Sequence, residues 1–200
     1  MDNNIFNIIM KTPPPYVDFS DSKTYVGLFS GELQRQLIFA QIAIDRIENF
    51  CGEYTHNLFY DIQGLLIALA NISKLLDDKV RTGKNAKRAK IRATKLLHEF
   101  NIDITKIPVI MNRDLRNTIE HYDERLDEFT DKFPNCLYLD GISAPGISVT
   151  GHPYKIGRFY NHMTKTIQFM DSTITTMSNL KIEEAKNELL YLETQIKESK

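Results

Sequence analysis

The sequence predicts a mainly α-helical protein, an antiparallel helical bundle of four to five helices with a small β-hairpin appended. Apolar residues recur at spacings of three and four over most of the chain, which is the helical period. One later stretch, 158–177, changes to β-branched and aromatic residues with partial alternation, which is typical of strands. With 200 residues, 42% hydrophobic and 26% charged, the chain fits one globular domain.

The chain divides into an arm and a single domain. We expect residues 1–29 to form an N-terminal extended arm, because the three prolines of "TPPPY" at 12–16 disfavour a helix. The domain, 30–200, is expected to hold a helical core at 30–133, an irregular and β insert at 134–180, and a C-terminal helix at 181–199.

The core is expected to contain four helices, each justified by an apolar stripe and by its end signals. Their expected ranges are 31–50, 56–79, 85–100 and 107–132. Ser30 is a good N-cap for the first helix, and Pro134 ends the fourth. The second helix is apolar on more than one side, so it is expected to be central. In the insert, two short strands are expected to flank "NHMT" at 161–164 as a hairpin.

Net charge, cysteine content and the absence of known motifs limit the classes of function that the sequence suggests. The formal net charge of -1 gives no overall field that attracts nucleic acid or membrane, and no DNA binding is indicated. Cys51 and Cys136 are too few for a disulfide framework and are expected to be reduced or buried thiols. No secretory signal is recognised, and the apolar run at 65–70 is short for a bilayer, so a cytoplasmic protein is expected. No zinc, calcium or P-loop pattern appears, so no metal or cofactor is expected.

The expected fourth helix carries the most notable polar residues, in "RDLRNTIEHYDERL" at 113–126. Leu115, Leu126 and their helical neighbours form a core face, and the polar face holds four candidate site residues. These are Arg116, Asn117, Glu120 and His121. Spacing alone favours an ordinary solvated helix, because pairs spaced four apart, such as Arg116 and Glu120, are common on exposed helices.

A basic run follows the second helix, in "RTGKNAKRAKIRATK" at 81–95. Seven basic residues occur there without an acid, and four of them share one helical stripe. These four candidate RNA-binding residues are Lys84, Arg88, Arg92 and Lys95. The run suits contact with a sugar-phosphate backbone, and a solvated helix face is the alternative interpretation.

The motif "RNTIEH" at 116–121 resembles the arginine-polar-x3-histidine motif of the HEPN superfamily (higher eukaryotes and prokaryotes nucleotide-binding domains). The longer stretch "LRNTIEHYDERLDEF" and the pattern "ALANISKLL" at 68–76 are similar to one group of uncharacterised prokaryotic HEPN proteins. The later "GRFY" and "TIQFMD" stretches and the final helix also look like that group. The resemblance therefore covers most of the chain after residue 30.

This resemblance implies a metal-independent endoribonuclease of toxin–antitoxin, phage-defence or CRISPR systems. Such proteins typically form homodimers in which two motif helices build one site, and an antitoxin or defence protein is an expected partner. Arg116 would bind the RNA phosphate, and His121 would transfer protons because histidine titrates near neutral pH. Asn117 would orient either group, and Glu120 would hold Arg116 or act on His121. Within "NISK", Asn71 and Lys74 are expected beside the fourth helix, with Lys74 as a further RNA contact, although core or dimer packing explains the second helix equally well.

Two other classes of function stay open. Some HEPN proteins are non-catalytic modules that bind a partner protein, a nucleotide or RNA, and the acids of the fourth helix favour this interpretation, because they repel phosphate. A helical scaffold without a ligand is the third possibility.

Overall fold

The computed structural model describes residues 22–50, 55–77, 86–134, 137–143, 154–170 and 177–199. These residues form a mainly helical protein, as predicted, together with a small mixed β-sheet. Most of the predicted arm, both cysteines and the turn that carries Lys84 lie outside the described residues.

Six α-helices are formed within the described part of the chain. They are α1 (Ser22–Glu48), α2 (Thr55–Leu76), α3 (Ala86–Glu99), α4 (Arg113–Glu120), α5 (Tyr122–Lys132) and α6 (Ile182–Glu198). The second, third and C-terminal predicted helices agree with α2, α3 and α6 to within a few residues at either end. A short 3₁₀ turn, Ile104–Lys106, lies between α3 and α4.

The core lies between α1, α2, α3 and α6, and the predicted apolar stripes form it. The stripe of α1 is fully buried, from Leu33 to Ile47, as is that of α6, from Ile182 to Ile196. The residues of α2 that predicted a central helix are also buried, from Leu58 to Leu76. Helices α1 and α2 run antiparallel, since Arg46 near the end of α1 pairs with Asp61 near the start of α2.

The first helix begins nine residues earlier than predicted. The sequence indicated a start after Ser30, but α1 begins at Ser22, so residues 22–29 of the predicted arm are helical. Val26 and Phe29 explain the difference, because they continue the spacing of Leu33 and pack against the same core. Burial of these side chains outweighs the N-cap preference of Ser30.

The predicted fourth helix is not one helix. Residues 107–112 form turns, α4 begins at Arg113, and a break at His121 separates α4 from α5. Asn112 ends the turns in an extended conformation, and its side chain caps α4 by accepting from the amide of Asp114 at 2.8 Å. The second start at Tyr122 is favoured by Asp123 and Glu124, which lie at the positive end of the α5 dipole.

The β addition is larger than the predicted hairpin. The strands are β1 (Leu137–Ser143), β2 (Tyr154–Asn161), β3 (Thr166–Met170) and β4 (Met177–Lys181), in that order in the sheet. The predicted hairpin is confirmed as the antiparallel pair β2–β3 around residues 162–165. The added strands make the sheet mixed, because β1 is parallel to β2. Arg158 joins the sheet to α2 by donating to both carboxylate oxygens of Asp140 and to Gln63.

One helix of the described residues is long and apolar enough to cross a membrane, over His56–Leu76 of α2. It contains the run at 65–70 that looked too short, so the apolar segment is longer than expected. However, 61% of its most apolar window is buried inside the protein. Central helices of globular cores meet the same criterion, so α2 gives only weak evidence for a membrane span.

Candidate functional site

The motif "RNTIEH" occupies the second half of α4 and the break that follows it. Arg116 and Asn117 lie in α4, Glu120 is its last residue, and His121 is the junction residue, with φ -117° and ψ 38°. The side chain of Arg116 lies outside the described part of the structure, whereas Asn117 is half-buried. The motif residues therefore follow one another on a short helix and its end, not along one long helix.

Lys74 of α2 is held against the end of the motif helix. Its Nζ lies 2.8 Å from Oε1 of Glu120, and about a third of each side chain is exposed, 37% for Lys74 and 31% for Glu120. The contact follows from the packing of α4 against α2, in whose last turn Lys74 lies. The prediction that Lys74 lies beside the motif helix is thus confirmed, and Glu120 contacts this lysine.

Asn71 does not face α4 as expected. Its Nδ2 donates to Oε1 of Gln36 on α1 at 3.3 Å, and Gln36 donates to Glu32 at 2.7 Å. Gln36 is 7% exposed, so this chain of hydrogen bonds satisfies a buried amide between two helices. Asn71 is therefore part of the α1–α2 contact.

The contact that the structure describes for the His121 side chain is with the next helix, α5. Its Nδ1 lies 3.1 Å from Oε2 of Glu124, and 46% of the His121 side chain is exposed. A carboxylate at this distance accepts a hydrogen bond from Nδ1 and thereby fixes the ring orientation. Nε2 is then the ring nitrogen left for a ligand, on a half-exposed side chain. Sequence reasoning counted Glu124 as one of the acids of this face and did not foresee this contact, although residues three apart are neighbours on a helix.

The four residues of the basic stripe have different surroundings. Arg92 donates from Nη2 to the carbonyl oxygen of Lys74 at 2.9 Å, and its guanidinium lies 5.2 Å from the ring centre of Phe29. It is only partly exposed, so it serves as a packing residue between α3 and the end of α2. Arg88 and Lys95 are exposed on α3, and Lys84 lies outside the described residues.

Lys74 is the point where the basic helix and the motif helix meet. Its carbonyl accepts from Arg92 of α3, and its ammonium pairs with Glu120 of α4. Sequence alone could not establish whether the basic run lies near the motif. Both helices contact the same last turn of α2, so Arg92 and Glu120 are each one contact away from Lys74.

A further residue was missed by sequence reasoning. Glu188 lies on the buried face of α6 and is 6% exposed, and its carboxylate binds the turns that lead into α4. The signal was present, because Glu188 is an acid inside the apolar stripe of Ala185, Leu189 and Leu192. A carboxylate at such a position can be buried only where hydrogen-bond partners compensate for its loss of hydration.

Among the described residues, no three His, Cys, Asp or Glu side chains are grouped so as to hold a metal ion. Comparison of the whole chain with protein-family models, with curated proteins and with solved structures finds no match in any of the three.

Proposed function

We propose that the chain is a HEPN-like helical bundle and a metal-independent endoribonuclease of a toxin-like or phage-defence system. The proposed enzyme works in the cytoplasm, where its RNA substrate is found, and is restrained by an antitoxin or another defence protein. The observation that carries the proposal is the contact between Lys74 and Glu120, because it adds a cation to the end of the motif "RNTIEH".

The proposed reaction is cleavage by the ribose 2′-hydroxyl. The 2′-oxygen attacks the phosphorus and loses its proton, while the bond from phosphorus to the 5′-oxygen breaks and that oxygen gains a proton. His121 is suited to one of these proton transfers, because histidine exchanges protons near neutral pH. Arg116 is suited to the phosphate oxygens, which gain charge in the transition state, and Lys74 adds a second positive charge. Asn117 would orient the phosphate or the imidazole.

Phosphate binding requires that Lys74 exchange one anion for another. In the structure its ammonium is paired with Glu120, at a site where a third of the lysine is exposed. Such an exposed ion pair is worth only about 0.2–1 kcal/mol, so an RNA phosphate can replace the carboxylate at small cost.

The proposed dimer uses the exposed face shared by α1 and α2. A groove of about 400 Å³ separates these helices, and Phe39, Tyr60 and Ile67 beside it are 49%, 74% and 40% exposed. The Arg46–Asp61 pair lines the groove and presents both signs of charge, which a second copy can complement. On α2, Tyr60, Ile67 and Lys74 follow one helical stripe. Packing on this face would therefore bring the Lys74 residues of two copies towards the interface.

A non-catalytic binding module is the second candidate. It is favoured by one observation, namely that both Lys74 and His121 contact carboxylates, those of Glu120 and Glu124. Further acids follow in α5, at Asp123, Asp127 and Glu128, which makes this surface unfavourable for phosphate. Such a surface suits a basic partner protein better than RNA.

RNA cleavage without divalent metal separates the two candidates. The purified full chain is incubated with a mixed RNA in the presence of EDTA, alone and with the products of neighbouring genes. The nuclease proposal expects fragments that end in 2′,3′-cyclic phosphate and begin with 5′-hydroxyl. Intact RNA under all these conditions would refute the nuclease and leave the binding module.

A further inference from the structure

Glu188 is an acid on the buried face of α6 whose carboxylate binds two successive backbone amides. Oε1 accepts from the amide of Val109 at 2.8 Å, and Oε2 accepts from the amide of Ile110 at 2.8 Å. Its helical neighbours Ala185 and Leu189 are fully buried. Burying a carboxylate is costly unless its oxygens are hydrogen-bonded, so this contact is a specific feature of the fold.

The two amides lie in the turns that lead into the motif helix. Met111 donates to the carbonyl of Ile107 at 3.0 Å, and Asn112 donates to that of Val109 at 3.2 Å. Asn112 then caps α4 through its side chain. A continuous series of hydrogen bonds therefore runs from Glu188, through the turn at 109–110, to the first turn of α4.

We propose that Glu188 is a positioning residue of the candidate site. By holding the amides of Val109 and Ile110, it fixes where the motif helix starts and how its far end meets Lys74. The catalytic consequence rests on the proposed function, whereas the placement of α4 does not. Without Glu188, the two amides would lose their acceptor, and the turns that lead into α4 would be less firmly held.

Tyr191 provides a matched control on the same helix. Its hydroxyl accepts from the amide of Asp103 at 2.9 Å, and Lys106 lies 5.3 Å from its ring centre. Tyr191 therefore also ties α6 to the connection before α4, but at the end farther from the motif. Tyr191→Phe removes this hydrogen bond, so it tests the loss of a comparable contact between α6 and another part of the same connection.

Amide hydrogen exchange of the full chain tests the placement directly. In the wild type we expect the amides of Val109 and Ile110 to be protected although they lie in turns, and rapid exchange there would overturn the proposal. In Glu188→Gln, where the amide group can accept only one of the two bonds, we expect exchange in 109–121 to rise at least about tenfold. In Tyr191→Phe, the increase should stay near residue 103.

Core amides of α2 provide the correction for global unfolding, since both variants lower stability. An equal rise in 109–121 for both variants after that correction would overturn the proposal. Where the wild type cleaves RNA, Glu188→Gln is expected to lower kcat with KM unchanged, and Tyr191→Phe to change neither. A wild type that does not cleave RNA refutes the proposed function, and the exchange data still decide the role of Glu188.

Discussion

The ammonium of Lys74 lies 2.8 Å from the carboxylate of Glu120, so the last turn of α2 and the last residue of α4 are joined by an ion pair. About a third of each side chain is exposed, and Glu120 directly precedes His121 in the sequence. This contact places a positive charge beside the motif, and Glu120 is the acid that a bound phosphate would have to displace from that charge.

Removal of the Lys74 charge and removal of the Glu120 charge should change RNA affinity in opposite directions. Lys74→Ala is expected to weaken RNA binding and to reduce the slope of log affinity against log salt by about one. Glu120→Gln frees the lysine and should strengthen binding. Each change should alter the free energy of unfolding by no more than about 1 kcal/mol, since the pair is exposed. Titrations of labelled RNA at several salt concentrations provide the measurement.

The control for Lys74 is Lys197→Ala on α6, because Lys197 is also paired with a glutamate and is 75% exposed. Its loss should leave RNA binding unchanged. Equal effects of the two lysine variants would mean that Lys74 contributes only to the net charge.

Arg88 and Arg92 separate binding from packing within the basic stripe. Arg92→Ala loses the hydrogen bond to the carbonyl of Lys74 and the contact with Phe29, so we expect the free energy of unfolding to fall by about 1–3 kcal/mol. Arg88→Ala, on the exposed side of α3, should leave stability unchanged and weaken RNA binding. Urea unfolding and RNA titration of both variants check this. If Arg88→Ala binds RNA as the wild type does, the basic helix is only a solvated face.

Glu188 should give stability a defined dependence on pH. Burial raises the pKa of this carboxyl above its ordinary value of 4.5, and the two backbone hydrogen bonds only partly offset this effect. The folded state therefore binds the proton more tightly than the unfolded state, so this group's contribution to stability falls as pH rises from below 4.5 through the folded pKa. Urea unfolding of wild type and Glu188→Gln from pH 4 upward should show their difference in stability shrinking as pH rises. A difference that stays constant or grows would contradict the assignment.

Removal of the Tyr160 hydroxyl is expected to stabilise the protein. The residue is fully buried in β2, and none of the described residues forms a hydrogen bond with its hydroxyl. Burial, with a smaller effect from the charge of Glu48, raises the pKa of Tyr160 to about 12. Tyr160→Phe should increase the free energy of unfolding by up to about 1 kcal/mol, whereas Tyr191→Phe, which loses a real hydrogen bond, should decrease it by a similar amount. Thermal unfolding of both variants provides the comparison.

Much of the helical architecture could be predicted from local periodicity. The stripe of α1 from Leu33 to Ile47 is buried as expected, and so is that of α2, because a strong helical period leaves few other ways to bury those side chains. The turn between β2 and β3 was also foreseen. These features depend on residues that are close in sequence.

The differences arise from contacts between distant residues. The predicted helix 107–132 begins only at Arg113, because the amides of Val109 and Ile110 bind Glu188, which lies 79 and 78 residues away. Asn71 contacts Gln36 on α1 instead of α4 for the same reason, since the rotation of α2 is set by its whole core face. The partner of Lys74 could not be predicted from helical angles either, because it depends on how α4 packs against α2.

The central claim is that "RNTIEH" is a catalytic motif, and RNA cleavage by motif variants of the full chain tests it most directly. Arg116→Ala and His121→Ala are each expected to reduce metal-free cleavage by about a hundredfold or more, while circular dichroism and urea unfolding show a folded protein. The control is His56→Ala, an exposed histidine at the other end of α2, about 27 Å along the helix from Lys74. Loss of cleavage in the two motif variants alone is the predicted result. Cleavage that persists in His121→Ala at the wild-type rate would contradict it.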